Sequence, residues 1–210
     1  MTMKGGLKLN DYKLRTIRSY SSQVAYHSKK FKDAFDLSRR PEFPRFVDEL
    51  SGTKVLDLGC GSGDHALYFK KSCLDVICID LSEEMVELCL GKKLDARVMD
   101  IEDLDFPNES FDGVWAVASL LHIPKQKLDG VTGGIYRILK PQGKLYVCVY
   151  EGEGQRFVED GYFPRFFNFF TYEELLGYFC DRFEVLKSER VNVNNKVFLQ
   201  FLFKKANPLV

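Results

Sequence analysis

The chain has 210 residues, 45% hydrophobic and 14% aromatic, and its Lys+Arg 30 balance Asp+Glu 30. That is apolar surface enough for one full core, and the balanced charge supplies no field to draw the protein onto a nucleic-acid backbone or an anionic membrane. The six cysteines form no CxxC pair, no apolar h-region opens the chain and no run reaches the roughly 18 apolar residues of a membrane span, so a reduced, cytoplasmic protein is expected.

Short apolar runs alternate with longer amphipathic ones, the pattern of βα units on a parallel sheet. Residues 1–43 read as a helical lead segment, with a local basic patch at Lys29, Lys30, Lys32, Arg39 and Arg40. Residues 54–59, "KVLDLG", form the first strand, and "DHALYFKK" the helix after it. "DVICID" at 75–80 is the second strand, followed by a helix that Ser82 caps and Gly91 closes. Strands at 96–100 and 111–117 come next, then a helix that Pro141 stops, then a strand at 144–150. The first, second, fourth and fifth strands are nearly continuous apolar runs, as expected of strands covered on both faces.

Beyond the fifth strand lies "EGEGQRFVEDGYFPRFFNFF", rich in Gly and aromatics, then a helix capped by Thr171. The tail alternates on both sides of "NVNN" and reads as an antiparallel hairpin. No repeat or linker divides the chain, so 1–210 reads as one domain: a lead segment at 1–43, a cofactor-binding core at 50–150 and a substrate-side insertion, helix and hairpin at 151–210.

Gly59, Gly61 and Gly63 stand at a strand-to-helix junction, where bare backbone and unpaired N–H groups let a ligand approach. The spacing is GxGxG, not the GxGxxG of dinucleotide sites, and Asp64 would repel a pyrophosphate. Asp80, at the end of the second strand, stands where an acid takes both hydroxyls of a ribose. Asp100 closes the third strand at the same edge. A cofactor with a ribose, a ring amine and positive charge fits that edge.

"VLDLGCGSG", "VICIDLSEEMVELC", "VMDIEDLDFPNESFDGVWAVASLLHI" and "IYRILKPQGKLYV", in that order, resemble the class I S-adenosylmethionine-dependent methyltransferases, in particular the small metal-independent group that includes the ubiquinone and menaquinone biosynthesis enzymes. The resemblance covers about residues 50–150. It implies a doubly wound α/β fold with a mostly parallel seven-stranded sheet of order 3-2-1-4-5-7-6, whose last strand is antiparallel.

It also implies that Gly59, Cys60 and Gly61 line the methionine part of S-adenosylmethionine while Asp57 holds its ammonium, and that Asp80 takes the ribose. Leu81 and Met85 would lie against the adenine, Asp100 and Ile101 at its edge, Ala118 beside the carboxylate or sulfonium, and Tyr20 over the methionyl group. S-adenosylhomocysteine is then the product. The tyrosine match is loose, because Val24 stands where the family usually has alanine, and "LKPQG" replaces the usual "LKPGG".

No "PPY" or "PPW" follows the fourth strand, and no acid ends it as in the Mg²⁺-dependent enzymes, so no metal is expected. His27 and His65 pair with no cysteine at ligand spacing. His122 reads either as a general base or as a pin for the turn before Pro124. Asp57 reads either as a cofactor ligand or as a helix cap. The aromatics Tyr162, Phe163, Phe166, Phe167, Phe169 and Phe170 read as core or as lid; Tyr150, Glu151 and Phe166 are the substrate-side candidates.

A small-molecule acceptor is the expected partner, with the N-terminal segment and residues 156–170 covering it. The rival readings are a tRNA or rRNA methyltransferase and a non-catalytic cofactor-binding subunit.

Overall fold

The computed structural model describes residues 10–22, 40–159 and 163–207. The readings made on Val24, His27, Lys29, Lys30, Lys32, Arg39 and Tyr162 lie outside them.

Helices α1 (Asp11–Ser22) and α2 (Glu42–Glu49) precede β1 (Lys54–Leu58), α3 (Asp64–Lys71), β2 (Asp75–Asp80), α4 (Glu83–Gly91), β3 (Asp95–Val98) and β4 (Phe111–Val117). A short 3-10 turn (Leu120–His122) leads to α5 (Lys125–Ile138), β5 (Leu139–Tyr150), β6 (Gln155–Val158), β7 (Arg165–Asn168), α6 (Tyr172–Gly177), β8 (Phe183–Val193) and β9 (Lys196–Lys205). One sheet has the order β3-β2-β1-β4-β5-β9-β8, with only β9 and β8 antiparallel to their neighbours. The small β6-β7 hairpin stands outside it, so the sheet has the expected order 3-2-1-4-5-7-6 once that insertion is passed over.

Both faces of the sheet are buried because the strands alternate between two cores. On β2, Ile77 and Ile79 face one core while Val76 and Cys78 face the other. The second core centres on Trp115, stacked on Tyr146 at 4.1 Å and edged by Phe43, Phe46 and Phe69. Burying each such ring contributes roughly 1.5–3 kcal/mol. Gly113 makes this possible: a Cβ there would sit 2.7 Å from the Phe46 ring.

Local signals place most of the ends. Ser82 Oγ accepts the Met85 N–H, and Thr171 with Glu174 forms a full capping box. Asn194 and Asn195, both at positive φ, make the two-residue turn of the β8-β9 hairpin. Helix α5 stops at Ile138, before Pro141: Leu139 is already extended and pairs with Phe111, so the strand begins ahead of the proline. Gln142, at the glycine position of the usual turn, holds φ 65, a left-handed conformation that costs a side-chain-bearing residue roughly 1–2 kcal/mol.

The stretch after β5 is not irregular. β6 and β7 pair, with Phe166, Phe167 and Phe170 buried and Phe157 and Phe163 left outside. Among the described residues no helix is long and apolar enough to cross a membrane.

Candidate active site

The first βα turn has its shape from three left-handed glycines with different constraints. Gly59 (φ 75) and Gly63 (φ 77) are hemmed in: a Cβ would sit 2.5 Å from Ser119 Cβ in one case and 2.7 Å from Cys89 Sγ in the other. Gly61 (φ 52) faces open space, with nothing within 4 Å of a Cβ position. That open side belongs to a cavity of about 180 Å³. The cavity runs from the glycine loop past Asp80, Leu81 and Met85 to Ala118, His122 and Tyr150.

Asp80 joins its two sides. Oδ2 accepts the Gly61 N–H and Oδ1 the Ser82 N–H, each at 2.9 Å, so each oxygen keeps a lone pair for a ligand hydroxyl. Burial pushes its carboxyl up to about 6, against the pull of the Ser82 and Gly61 N–H groups. Ala118, just past β4, holds φ 54, and Ser119 Oγ beside it is buried without a hydrogen-bond partner among the described residues. Strain and an unsatisfied hydroxyl at one point of a cavity wall mark a place prepared for a ligand.

Another part of the cavity wall is a histidine whose tautomer its partners fix. His122 Nδ1 lies 2.6 Å from the Phe166 carbonyl, which can only accept, so Nδ1 carries the proton and Nε2 accepts the Tyr20 hydroxyl at 2.9 Å. Arg165 stacks over the Tyr20 ring at 4.8 Å. Cys148, Tyr150, Phe198 and Gln200 from β5 and β9 also line the cavity. His65 reaches the cavity as a neutral acceptor for the Trp115 Nε1–H, its pKa lowered to about 3 by burial and by Arg40.

Of the residues expected in the site, Tyr20, Gly59, Cys60, Gly61, Asp80, Leu81, Met85, Ile101, Ala118, His122 and Tyr150 line this cavity; Asp57, Asp100, Glu151 and Phe166 do not. Asp57 lies beneath the loop, 2% exposed; one oxygen accepts the Ala66 N–H of α3, Oδ2 is buried without a hydrogen-bond partner among the described residues, and burial raises the carboxyl well above the usual range. Asp100 is turned toward α1: Oδ2 meets Lys13 Nζ at 2.5 Å and Oδ1 the Glu102 N–H. Glu151 pairs with Arg190. The Phe166 ring packs on Tyr12 and Phe157, and its contribution to the site is its carbonyl.

Among the lining residues missed by sequence reasoning are Lys13, Thr16, Ile17, Ser119, Phe198 and Gln200. Gln200 carried a signal, a polar residue in the apolar run "VFLQFLF" whose neighbours are buried. Ser119 carried none.

An open α/β sheet with a glycine loop after its first strand and a ribose-type acid after its second defines a nucleoside-cofactor enzyme. Residues 56–147 match the family model described as "Methyltransferase domain". Over 187 residues, 80% of this chain and 72% of the relative, the chain is 29% identical to ubiquinone/menaquinone biosynthesis C-methyltransferase UbiE of Rickettsia akari (strain Hartford). It is 30% identical over 148 residues to phosphoethanolamine N-methyltransferase 3 of Arabidopsis thaliana, spanning 65% of this chain but 30% of that enzyme.

In fold it is similar to Burkholderia thailandensis 1,6-didemethyltoxoflavin-N1-methyltransferase, a structure with 1,6-didemethyltoxoflavin and S-adenosylhomocysteine bound. The TM-score is 0.76 with 21% identity over 98% of this chain and 94% of that one. Residues 56–147 are a methyltransferase domain of the S-adenosylmethionine-dependent type, and S-adenosylmethionine is its cofactor.

Proposed function

We propose that this methyltransferase acts on a small, planar, largely apolar acceptor carrying one ionisable O–H or N–H. The observation that carries the reading is the single cavity in which the Gly61–Asp80 end and the His122–Tyr20 end share walls. The walls at the acceptor end are Tyr150, Phe198 and Val193, which favour a flat ring over a phosphate group. Lys13 and Arg40 also line the cavity, but Lys13 is paired with Asp100 and Glu102, and Arg40 with Glu42.

Bound in the loop, S-adenosylmethionine supplies an electrophilic methyl group for in-line displacement and leaves as S-adenosylhomocysteine. The chain itself does the rest. Asp80 and the backbone of Gly59, Cys60 and Gly61 bind and orient it, and Ser119 Oγ offers a donor beside the strained Ala118. An acceptor X–H that replaces the Tyr20 hydroxyl on His122 Nε2 passes its proton there, and the imidazolium formed is held by the Phe166 carbonyl through Nδ1–H. The enclosing walls exclude water, and alignment of acceptor and methyl lowers the barrier by up to several kcal/mol.

The test is S-adenosylhomocysteine release with hydroxylated aromatics, aromatic amines, phosphoethanolamine and transfer RNA offered in parallel. Turnover with the planar acceptors is expected; turnover confined to phosphoethanolamine or to RNA would overturn the reading.

A further inference from the structure

Behind the glycine loop lies a second cluster that methyl transfer does not use. Cys60 is on the loop between Gly59 and Gly61, Cys78 on β2 and Cys89 on α4, and none is in a disulfide. Their Sγ atoms all lie within 4.8 Å of one another, with 3.7 Å between Cys60 and Cys89.

That spacing has a chemical meaning. Sulfurs bound at about 2.3 Å around a tetrahedral ion stand about 3.8 Å apart, and around a trigonal one about 4.0 Å. Three thiol sulfurs are soft donors and suit thiophilic ions over Mg²⁺ or Ca²⁺. The charge nearby is mixed, with Asp80 acting on the Cys60 thiol and Lys92 on that of Cys89, so the sulfur geometry carries the site. Access exists as well, because Cys60 lines the cavity while Cys78 and Cys89 are buried behind it.

We propose that Cys60, Cys78 and Cys89 form a three-sulfur site for a thiophilic divalent ion of the zinc type, and that its occupation weakens cofactor binding. Each thiol that enters coordination gives its proton to solvent, and no electron moves. The coupling to the cofactor is mechanical. Cys89 Sγ now touches the Gly61 carbonyl at 3.3 Å, and Asp80 holds the Gly61 N–H from the other side. Coordination takes away the proton that the Cys89 thiol donates to the Gly61 carbonyl, so the loop loses one of its two holds on Gly61 and with it the shape the cofactor needs. The site is non-catalytic, and its existence does not depend on the identity of the methyl acceptor.

The test uses the reduced full chain with exposed Cys73 and Cys180 changed to Ser, titrated anaerobically with Cd²⁺ as the probe. One equivalent should bind, with a sulfur-to-metal charge-transfer band and the loss of three titratable thiols. Cys78→Ala and Cys89→Ala should each abolish the stoichiometric band. No band, or a band unchanged in both variants, would overturn the site.

Should either variant fail to fold, alkylation of the Cys73→Ser/Cys180→Ser chain read by mass spectrometry decides. Cd²⁺ must protect Cys60, Cys78 and Cys89 together, and protection confined to Cys148 refutes the assignment. Calorimetry of S-adenosylhomocysteine on the Cd²⁺-loaded protein should show at least fivefold weaker binding; equal affinity would remove the coupling.

Discussion

Asp80 accepts the Gly61 N–H at 2.9 Å, which ties the end of β2 to the loop after β1. The ribose acid and the glycine cradle are therefore one unit, and damage to either should reach the other. Asp80→Ala removes both ribose acceptors and frees the Gly61 and Ser82 N–H groups, so S-adenosylhomocysteine should bind roughly tenfold or more weakly by calorimetry. Asp80→Asn keeps one acceptor oxygen and should fall between. Equal affinity in all three proteins would place the ribose elsewhere.

The same carboxyl sets a pH dependence. It lies at about 6 against an ordinary 3.8. Above 6 the carboxylate can accept from the ribose, and below it a proton occupies one acceptor, so cofactor affinity should fall as pH drops through about 6. Stability of the cofactor-free protein moves the other way. The folded state binds this proton more tightly than the unfolded one, so the burial penalty is absent below 3.8, grows as pH rises to 6 and is full above that. Titration calorimetry and thermal unfolding across this range should show the two opposite trends, and Asp80→Asn should flatten both.

Much of this site was legible because its parts are local in sequence. The glycine loop, Asp80, Leu81, Met85 and Ala118 each follow directly from a strand end, and strand ends in a doubly wound sheet meet at one edge. Asp100 shared that pattern but is turned to Lys13, 87 positions away in the chain, a pairing that no motif encodes, while Asp57 gives one oxygen to the α3 backbone and keeps Oδ2 without a partner among the described residues. The β6-β7 hairpin was hidden because Gly and Pro around it signal a loop, whereas its pairing depends on burial of Phe166 and Phe167. Phe166 contributes a carbonyl, and a backbone atom leaves no trace in residue type.

Lys13 holds α1 onto the sheet through buried pairs with Asp100 and Glu102 at 2.5 and 2.9 Å. Lys13→Ala leaves the buried Asp100 carboxylate without its cation, which costs about 3 kcal/mol, while the part-buried Glu102 keeps Lys127 at 3.6 Å. Because α1 supplies Thr16, Ile17 and Tyr20 to the cavity, cofactor affinity should fall with the unfolding midpoint. Lys13→Met keeps the stem without the charge and should be nearly as damaging. A harmless Lys13→Met would mean that packing, not the ion pair, docks the helix.

Tyr20 and His122 should separate in their kinetics. Tyr20→Phe removes the hydroxyl on Nε2 but leaves the ring under Arg165, so the pH at which kcat/KM falls should shift while activity persists. His122→Ala removes the proton acceptor itself, and kcat should drop about 100-fold or more, with rescue by an acceptor already ionised at the assay pH. A pH profile identical in Tyr20→Phe and the unsubstituted enzyme would separate this hydroxyl from the proton path.

Helix α1 lines the cavity and is tied to strand β7 behind it, since the Phe166 N–H donates to Thr16 Oγ1 at 3.2 Å and the Phe166 ring packs on Tyr12. A cover that must admit the acceptor and then exclude water should open and close around the ligand. Hydrogen exchange across residues 11–22 and 155–170 should therefore slow when S-adenosylhomocysteine is added. The effect should be larger in α1 and β6, whose surfaces are partly exposed, than in β7, where all four residues are already buried. Slowing confined to the glycine loop and Asp80 would mean that the cover is fixed and that acceptors enter by another face, which would turn the acceptor reading toward larger molecules.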